Sequence, residues 1–219
     1  IKSLKKPTGF FDPENPAAKG SEDLTEDNEN KTTAEISRSL RSPMLSFANT
    51  DMAFKDNILI AGSYHGFNIY ELDNDGIPNL ISSVVCPGGQ GDVSIVGDLL
   101  IMSVEENRSR LDCGLEGVNS DSSPERFRGI RIFDVSNLSK PKQVGAVQTC
   151  RGSHTHSVVS TTKDNKIIVY NSGTGRVRDN EEKAECFGWD GGGSSYFSID
   201  VIEIPINNPS DSRIVKSPK

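Results

Sequence analysis

An all-β fold, a β-propeller of four-stranded antiparallel blades with about three blades in this chain, is predicted by three observations. The apolar runs are short, rich in Val, Ile, Phe and Tyr, and punctuated by Gly, Asn, Asp and Pro. The order hairpin, strand, longer turn, strand, loop recurs over residues 51–86, 91–150 and 155–219, with Pro in or beside the longer turn. In the second and third of these units an insertion falls at the same place, between the second and third strands, and each insertion carries a cysteine. A β-sandwich is the competing all-β architecture, but it has no reason to repeat this order so regularly.

Residues 1–43 read as an extended or disordered arm. Ser21–Thr33 has almost no apolar residue and cannot offset the entropy of ordering. Phe10 and Phe11 are the exception, suited to anchoring the arm. Thr33–Leu40 has the makings of one helical turn, ended before Pro43. From Met44 the blades begin, so residues 44–219 form the propeller segment.

In the first unit Met52–Phe54 and Ile58–Ala61 form a hairpin about Lys55-Asp56-Asn57. Phe67–Leu72 is the third strand, Asp73–Pro78 the longer turn and Leu80–Val85 the fourth strand. In the second unit Val93–Val96 and Leu99–Val104 flank a Gly97-Asp98 turn. The insertion Glu105–Arg128 follows, then Ile130–Val135, the turn Ser136–Lys142 and Val144–Gln148. In the third, Ser157–Ser160 and Lys166–Asn171 flank the turn Lys163–Asn165. The insertion Ser172–Ser194 comes next, then a long strand Ser195–Ile204, the turn Asn207–Ser212 and a fourth strand from Arg213. Rings of this kind close with four to eight blades. Three blades therefore point to part of a larger propeller, or to a ring completed by another chain; Met44–Phe47 as the closing strand of a small ring is the alternative. The start at Ile1 and the end inside a fourth strand point the same way.

Bulk properties narrow the function class. The chain has 219 residues, 24 basic and 31 acidic, for a net charge of −7, which disfavours a nucleic-acid surface. No apolar run approaches the roughly 20 residues of a membrane-spanning helix. Lys2, Lys5 and Lys6 precede polar sequence, so no signal peptide is visible. Cys86, Cys113, Cys150 and Cys186 are widely spaced without a CxxC pair, which argues against a compact zinc site. Their even number suits two disulfides in an oxidising compartment, although four buried thiols in a reducing one are the alternative. Strand order puts all four on the same edge of the blades. Pairing Cys86–Cys113 and Cys150–Cys186 would tie each insertion to the preceding blade boundary; pairings that close other loops on that edge stay open.

Aligned on their first strands, Thr50-Asp51-Met52, Gly91-Asp92-Val93 and Thr155-His156-Ser157 fall in register. Innermost propeller strands line the central channel, so Asp51, Asp92 and His156 would converge near one mouth, with His154 beside them and His65 in another blade's connection. Carboxylate and imidazole suit a divalent ion such as calcium or zinc. The same residues serve equally as corner residues that bond turn amides. Arg108, Arg110, Arg126, Arg128, Arg151, Arg176 and Arg178 flank the insertion edge. Of these, Arg108, Arg110 and Arg151, with Trp189, are the candidate binding residues for an acidic ligand or a protein partner; backbone-bonded or solvated arginines are the plainer reading. Cys86-Pro-Gly-Gly-Gln-Gly-Asp92 lacks the lysine and helix of a phosphate loop. No nucleophile elbow or catalytic carboxylate pair stands out.

Gly129-Ile-Arg-Ile-Phe-Asp-Val135, followed by Ser136-Asn-Leu-Ser-Lys-Pro141 and Val144-Gly145, resembles the LVIVD repeat, roughly G-L-x-I-V-D-V-S-[ND]-P-x-x-P-x-x-V-G. Gly66–Tyr70 with Ile77-Pro78 is a looser copy, and Ser198–Ile204 with Pro209 looser still. HGFNIY, VVCPGGQGDVS and VQTCRGSHTHSVV also look like bacterial LVIVD-repeat proteins. The resemblance spans Asp51 to about Val215. It implies a β-propeller and an extracellular, cell-surface or periplasmic location, and no established reaction. The expected function is that of an exported binding or scaffold module in a cell-surface or extracellular assembly, with protein partners that include a chain completing the ring, and without catalysis. The alternative is a metal-dependent enzyme with a divalent ion at the channel mouth.

Overall fold

A computed structural model of the protein describes residues 49–114, 117–120, 122–161, 164–188 and 192–218. The expected N-terminal arm, the closing strand at Met44–Phe47 and Trp189 lie outside them. The described chain forms three four-stranded antiparallel sheets, each a simple meander in sequence order. The first comprises β1 (Asn49–Lys55), β2 (Ile58–Ser63), β3 (Gly66–Leu72) and β4 (Pro78–Val85). The second comprises β5 (Val93–Val96), β6 (Leu99–Val104), β7 (Gly129–Asp134) and β8 (Lys142–Gln148). The third comprises β9 (Thr155–Thr161), β10 (Lys166–Ser172), β11 (Asp200–Pro205) and β12 (Arg213–Lys216).

Local chemistry repeats with the sheets. Each opening hairpin turns through one residue of positive φ: Asp56 at 52°, Gly97 at 59° and Asn165 at 62°, residue types that tolerate the left-handed region. The longer turns are held by side chains that mimic backbone. Asp73 Oδ1 accepts from the amides of Asp75 and Ile77, both at 2.9 Å. Asp134 Oδ1 accepts from Ser136 and Asn137 Oδ1 from Ser139. Gly66 and Gly129 open β3 and β7 at φ 139° and 146°. A Cβ there would come within 2.0 Å of the carbonyl oxygen of Val84 or Val147 on the neighbouring strand, so both positions require glycine.

The sheets pack face to face in chain order. Ile60, Phe67 and Ile69 of the first meet Leu100, Met102 and Phe133 of the second, with Phe67 and Phe133 edge to face at 5.0 Å. Leu99, Ile101, Ile130 and Ile132 on the opposite face meet Ile167, Val169, Ile202 and Ile204 of the third. The second sheet is thus covered on both sides. That explains why β6 opens with four consecutive apolar residues instead of alternating: all six of its residues are buried. The first strands β1, β5 and β9 adjoin in turn.

One element departs from expectation. Only Asp200–Pro205 of the long strand expected over Ser195–Ile204 pairs as β11; Ser194–Tyr196 is a 3-10 turn. Tertiary contacts override the β propensity of this segment. The Phe187 amide donates to Ser195 Oγ, and Arg151 donates to the Tyr196 carbonyl and lies 5.1 Å over its ring.

Candidate functional site

A relay of side chains connects the first strands. The Val93 amide donates to Asp51 Oδ2 at 2.9 Å. The His156 amide donates to Asp92 Oδ2 at 2.7 Å, and Thr155 Oγ1 donates to the same oxygen at 3.1 Å. Each aspartate therefore fastens the first strand of the next sheet. In this relay the counterpart of Val93 is His156, and that of Asp92 is Thr155, one residue off the alignment by sequence. The difference arises because β5 has four residues and β9 seven, with a register shift against β10; such an irregularity cannot be counted from sequence.

The His156 ring is buried. Its Nδ1 lies 2.8 Å from Ser103 Oγ and 3.1 Å from Asp92 Oδ2, and Ser103 Oγ lies 2.6 Å from Ser153 Oγ. Serine, histidine and aspartate meet here, but not as a catalytic triad. That mechanism needs the nucleophile and the carboxylate on opposite ring nitrogens, whereas here both approach Nδ1, and Ser103 is fully buried. His156 Nε2 is buried without a partner among the described residues. Burial pushes the Asp92 carboxyl up, but the hydrogen bonds and charge of His156 outweigh it and hold the group at about 2. His154 does not join this group. Its Nδ1 is 2.8 Å from Glu105 Oε2, which also accepts from Thr174. His65 is buried against Ser63 Oγ. Among the described residues no group of three or more His, Cys, Asp or Glu side chains could hold a metal ion.

The opposite chemistry gathers where the insertions leave the sheets. Cys86 is bonded to Cys113 and Cys150 to Cys186, so each insertion is tied to the crossing that precedes its own sheet. Between the first bridge and the second sheet lies Arg131, fully buried. Its Nη1 donates to the Cys86 carbonyl at 3.0 Å, to Cys86 Sγ at 2.7 Å and to the Pro87 carbonyl at 3.1 Å. Its Nη2 donates to the Arg110 carbonyl, and the guanidinium lies 5.2 Å over the Phe127 ring. Burial pulls this guanidinium down to about 9, against a weak opposing pull from Asp112.

Beside the second bridge, Glu182, itself buried, pairs with Arg126 and with Arg178, whose Nε is 2.9 Å from Glu182 Oε2. Arg178 also donates to Gln148 Oε1 and to the Arg126 carbonyl. Arg128 donates to Asn107 Oδ1 and the Arg176 carbonyl. Burial and the charges of Arg178 and Arg126 bring it down to about 10.

The arginines singled out for binding are held inside this fabric. Arg110 grips Asp112 with two bonds of 2.9 and 2.7 Å and reaches Glu125, and that grip with the Gly114 amide holds the Asp112 carboxyl at about 2. Arg108 is half-buried, with its carbonyl taken by the Val118 amide. Arg151 donates to the carbonyls of Gly175, Thr174 and Tyr196. A cleft of about 550 Å³ opens on this edge, lined by Arg176, Arg178, Asp179, Phe187 and Tyr196 among others. Phe187 in its lining is exposed, as are Phe197 and Ile199 shortly after Tyr196 in the chain.

Three participants escaped the sequence reading: Glu182, Ser103 and Arg131. The signal for Arg131 was present. On β7 it shares a face with Phe133, which packs in the core, so a charge at that parity is anomalous. Glu182 has no such signal in a polar insertion. No protein-family model matches the chain, and no curated protein matches it.

Proposed function

We propose that the three sheets are blades of an exported LVIVD-type β-propeller. In this reading the chain is a binding or scaffold module that meets a protein partner through its disulfide-tied insertion edge. The observation that carries this reading is the contrast between the two ends of the sheets. At the first strands the ionisable groups are engaged with one another and with backbone amides. At the insertion edge two bridges and a buried ion-pair network tie down polar segments beside an open cleft lined by exposed Phe187, with exposed Phe197 next in sequence to its Tyr196. Preorganised loops with aromatic anchors suit recognition, and two disulfides suit an oxidising, extracellular compartment. The face-to-face order of the sheets, with adjoining first strands, favours the propeller over a sandwich.

Two measurements test it. Electron microscopy of the native assembly is expected to reveal a closed ring of blades; a two-sheet sandwich would end the propeller reading. Binding of the labelled protein to its host's cell-envelope fraction should be lost in the double variant Phe187→Asp, Phe197→Asp and kept in Val159→Asp, which changes an exposed apolar residue elsewhere. Equal binding by all three proteins would remove the insertion edge from consideration.

The buried His156 Nε2, without a partner among the described residues, favours a second reading, a divalent ion bound at that ring nitrogen in a metal-dependent enzyme. Elemental analysis of the purified protein decides it. A stoichiometric metal lost in His156→Ala supports the ion; its absence from the native protein rules it out.

A further inference from the structure

We propose that the Cys86–Cys113 bridge is a thiol-exchange site for small thiols, with Cys113 as the attacked sulfur and Cys86 as the leaving thiolate received by Arg131. Two features of the geometry carry this. Cys86 is fully buried while Cys113 is only partly so, so an incoming thiolate reaches Cys113. The sulfur that must depart faces a guanidinium at 2.7 Å. That guanidinium meets only carbonyl oxygens, the sulfur and an aromatic ring; none of the described carboxylates bonds it. The carboxylate whose charge acts on it, Asp112, is gripped by Arg110. A buried cation without a carboxylate is unfavourable, and a thiolate formed at Cys86 would neutralise it. The disulfide form leaves the charge unpaired and the opened form pairs it, the arrangement that makes a bridge easier to reduce and a sulfur a better leaving group.

The exchange balances without any group beyond the thiol. A thiolate attacks Cys113 Sγ, the bond between the two cysteine sulfurs breaks, and its electron pair stays on Cys86 Sγ beside Arg131. The mixed disulfide on Cys113 is attacked at its outer sulfur by a second thiolate. The two small thiols leave oxidised as a disulfide, and Cys113 is released as a thiolate that takes a proton from water. The second bridge has no such device. Among the described residues no side chain donates to the sulfur of Cys150 or Cys186, and the nearby Arg178 is paired with Glu182.

The test is reduction of the folded wild-type protein with glutathione, quenched by acid and read by peptide mass spectrometry. The expected result is that Cys86–Cys113 opens at least roughly tenfold faster than Cys150–Cys186, with the glutathione adduct on Cys113 and a free thiol on Cys86. Equal rates for the two bridges, or the adduct on Cys86, overturn the proposal. Arg131→Met is expected to slow opening of the first bridge roughly tenfold without changing the second, and Arg131→Lys to keep most of the wild-type rate. If Arg131→Met does not fold, the pH profile of thiolate ultraviolet absorbance in the reduced wild-type protein, compared with that of reduced Cys86→Ser, decides instead. A profile displaced below that of an ordinary thiol supports the thiolate–guanidinium pair, and one at or above the ordinary range overturns it.

Discussion

The crossing from the first sheet to the second and the crossing from the second to the third are built from the same parts. Each begins at a half-cystine, runs through glycine, and ends where an aspartate of the preceding sheet grips the next first strand. They differ in how charge is handled. The first encloses a lone guanidinium, Arg131, whose two terminal nitrogens donate to carbonyl oxygens and a sulfur. The second encloses a network in which one buried carboxylate, Glu182, serves Arg126 and Arg178. The aspartates differ as well: Asp51 holds one backbone amide, whereas Asp92 holds a backbone amide, the hydroxyls of Thr155 and Ser103 and the imidazole of His156. The same architectural joint is thus made by dipoles in one place and by ion pairs in the other. Removal of a part should have unequal consequences at the two joints.

The largest effect is expected at the ion-paired joint. Glu182→Ala leaves two buried guanidinium groups without their carboxylate and should cost about 5 kcal/mol in denaturant unfolding, or prevent folding. Glu182→Ala with Arg178→Met should recover part of that loss; no recovery would separate the carboxylate's role from the network. Removing either bridge by paired Cys→Ser substitution should cost about 4 kcal/mol in the same assay, because the closed loops span similar separations of 27 and 36 residues. A markedly unequal cost would show that the insertions contribute native contacts of different strength.

Arg131→Met should be milder, about 2 kcal/mol. It strands three carbonyl oxygens but also removes a buried unpaired charge. A cost as great as that of Glu182→Ala would erase the distinction between the joints.

Asp92 supplies the pH test. Its carboxyl is held at about 2, below its ordinary 3.8. A depressed acid contributes stability that is complete above its unfolded value and lost as pH falls through the folded one. Unfolding free energy should therefore fall between pH 4 and about 2, and Asp92→Asn should flatten that part of the profile. The smallest effect is expected for Asp51→Asn, about 1 kcal/mol at neutral pH, since one amide bond is weakened. Chemical denaturation of the two variants side by side ranks the two aspartates.

Much of the fold was legible in the sequence because strands and turns are local events. Alternation, β-branched runs and Asp, Gly or Asn at the hairpins placed eleven of the twelve strands within a few residues. The twelfth, β11, was overextended because Ser195–Ile199 has strand-like composition but is bent into the insertion by Arg151 and Phe187. The candidate site was legible only in outline. Asp51, Asp92 and His156 were singled out by type and place, but their actual pairing, one residue out of register, depends on strand length and a bulge. Arg108, Arg110 and Arg151 were recognised as a group near the insertions, yet the side chains of Arg110 and Arg151 bond carboxylates and carbonyls that no spacing rule reveals.

By itself the sequence determined three antiparallel meanders and the common edge on which the four cysteines lie, because these follow from backbone geometry and chain order. Only the tertiary structure decided which charges are buried and with whom. Arg131 finds Cys86 across 45 residues, Arg126 finds Glu182 across 56, and Asp92 finds His156 across 64. The energy of a charge depends on its distance from partners in space and on the water removed from around it, and neither quantity is a property of the chain until the sheets have packed.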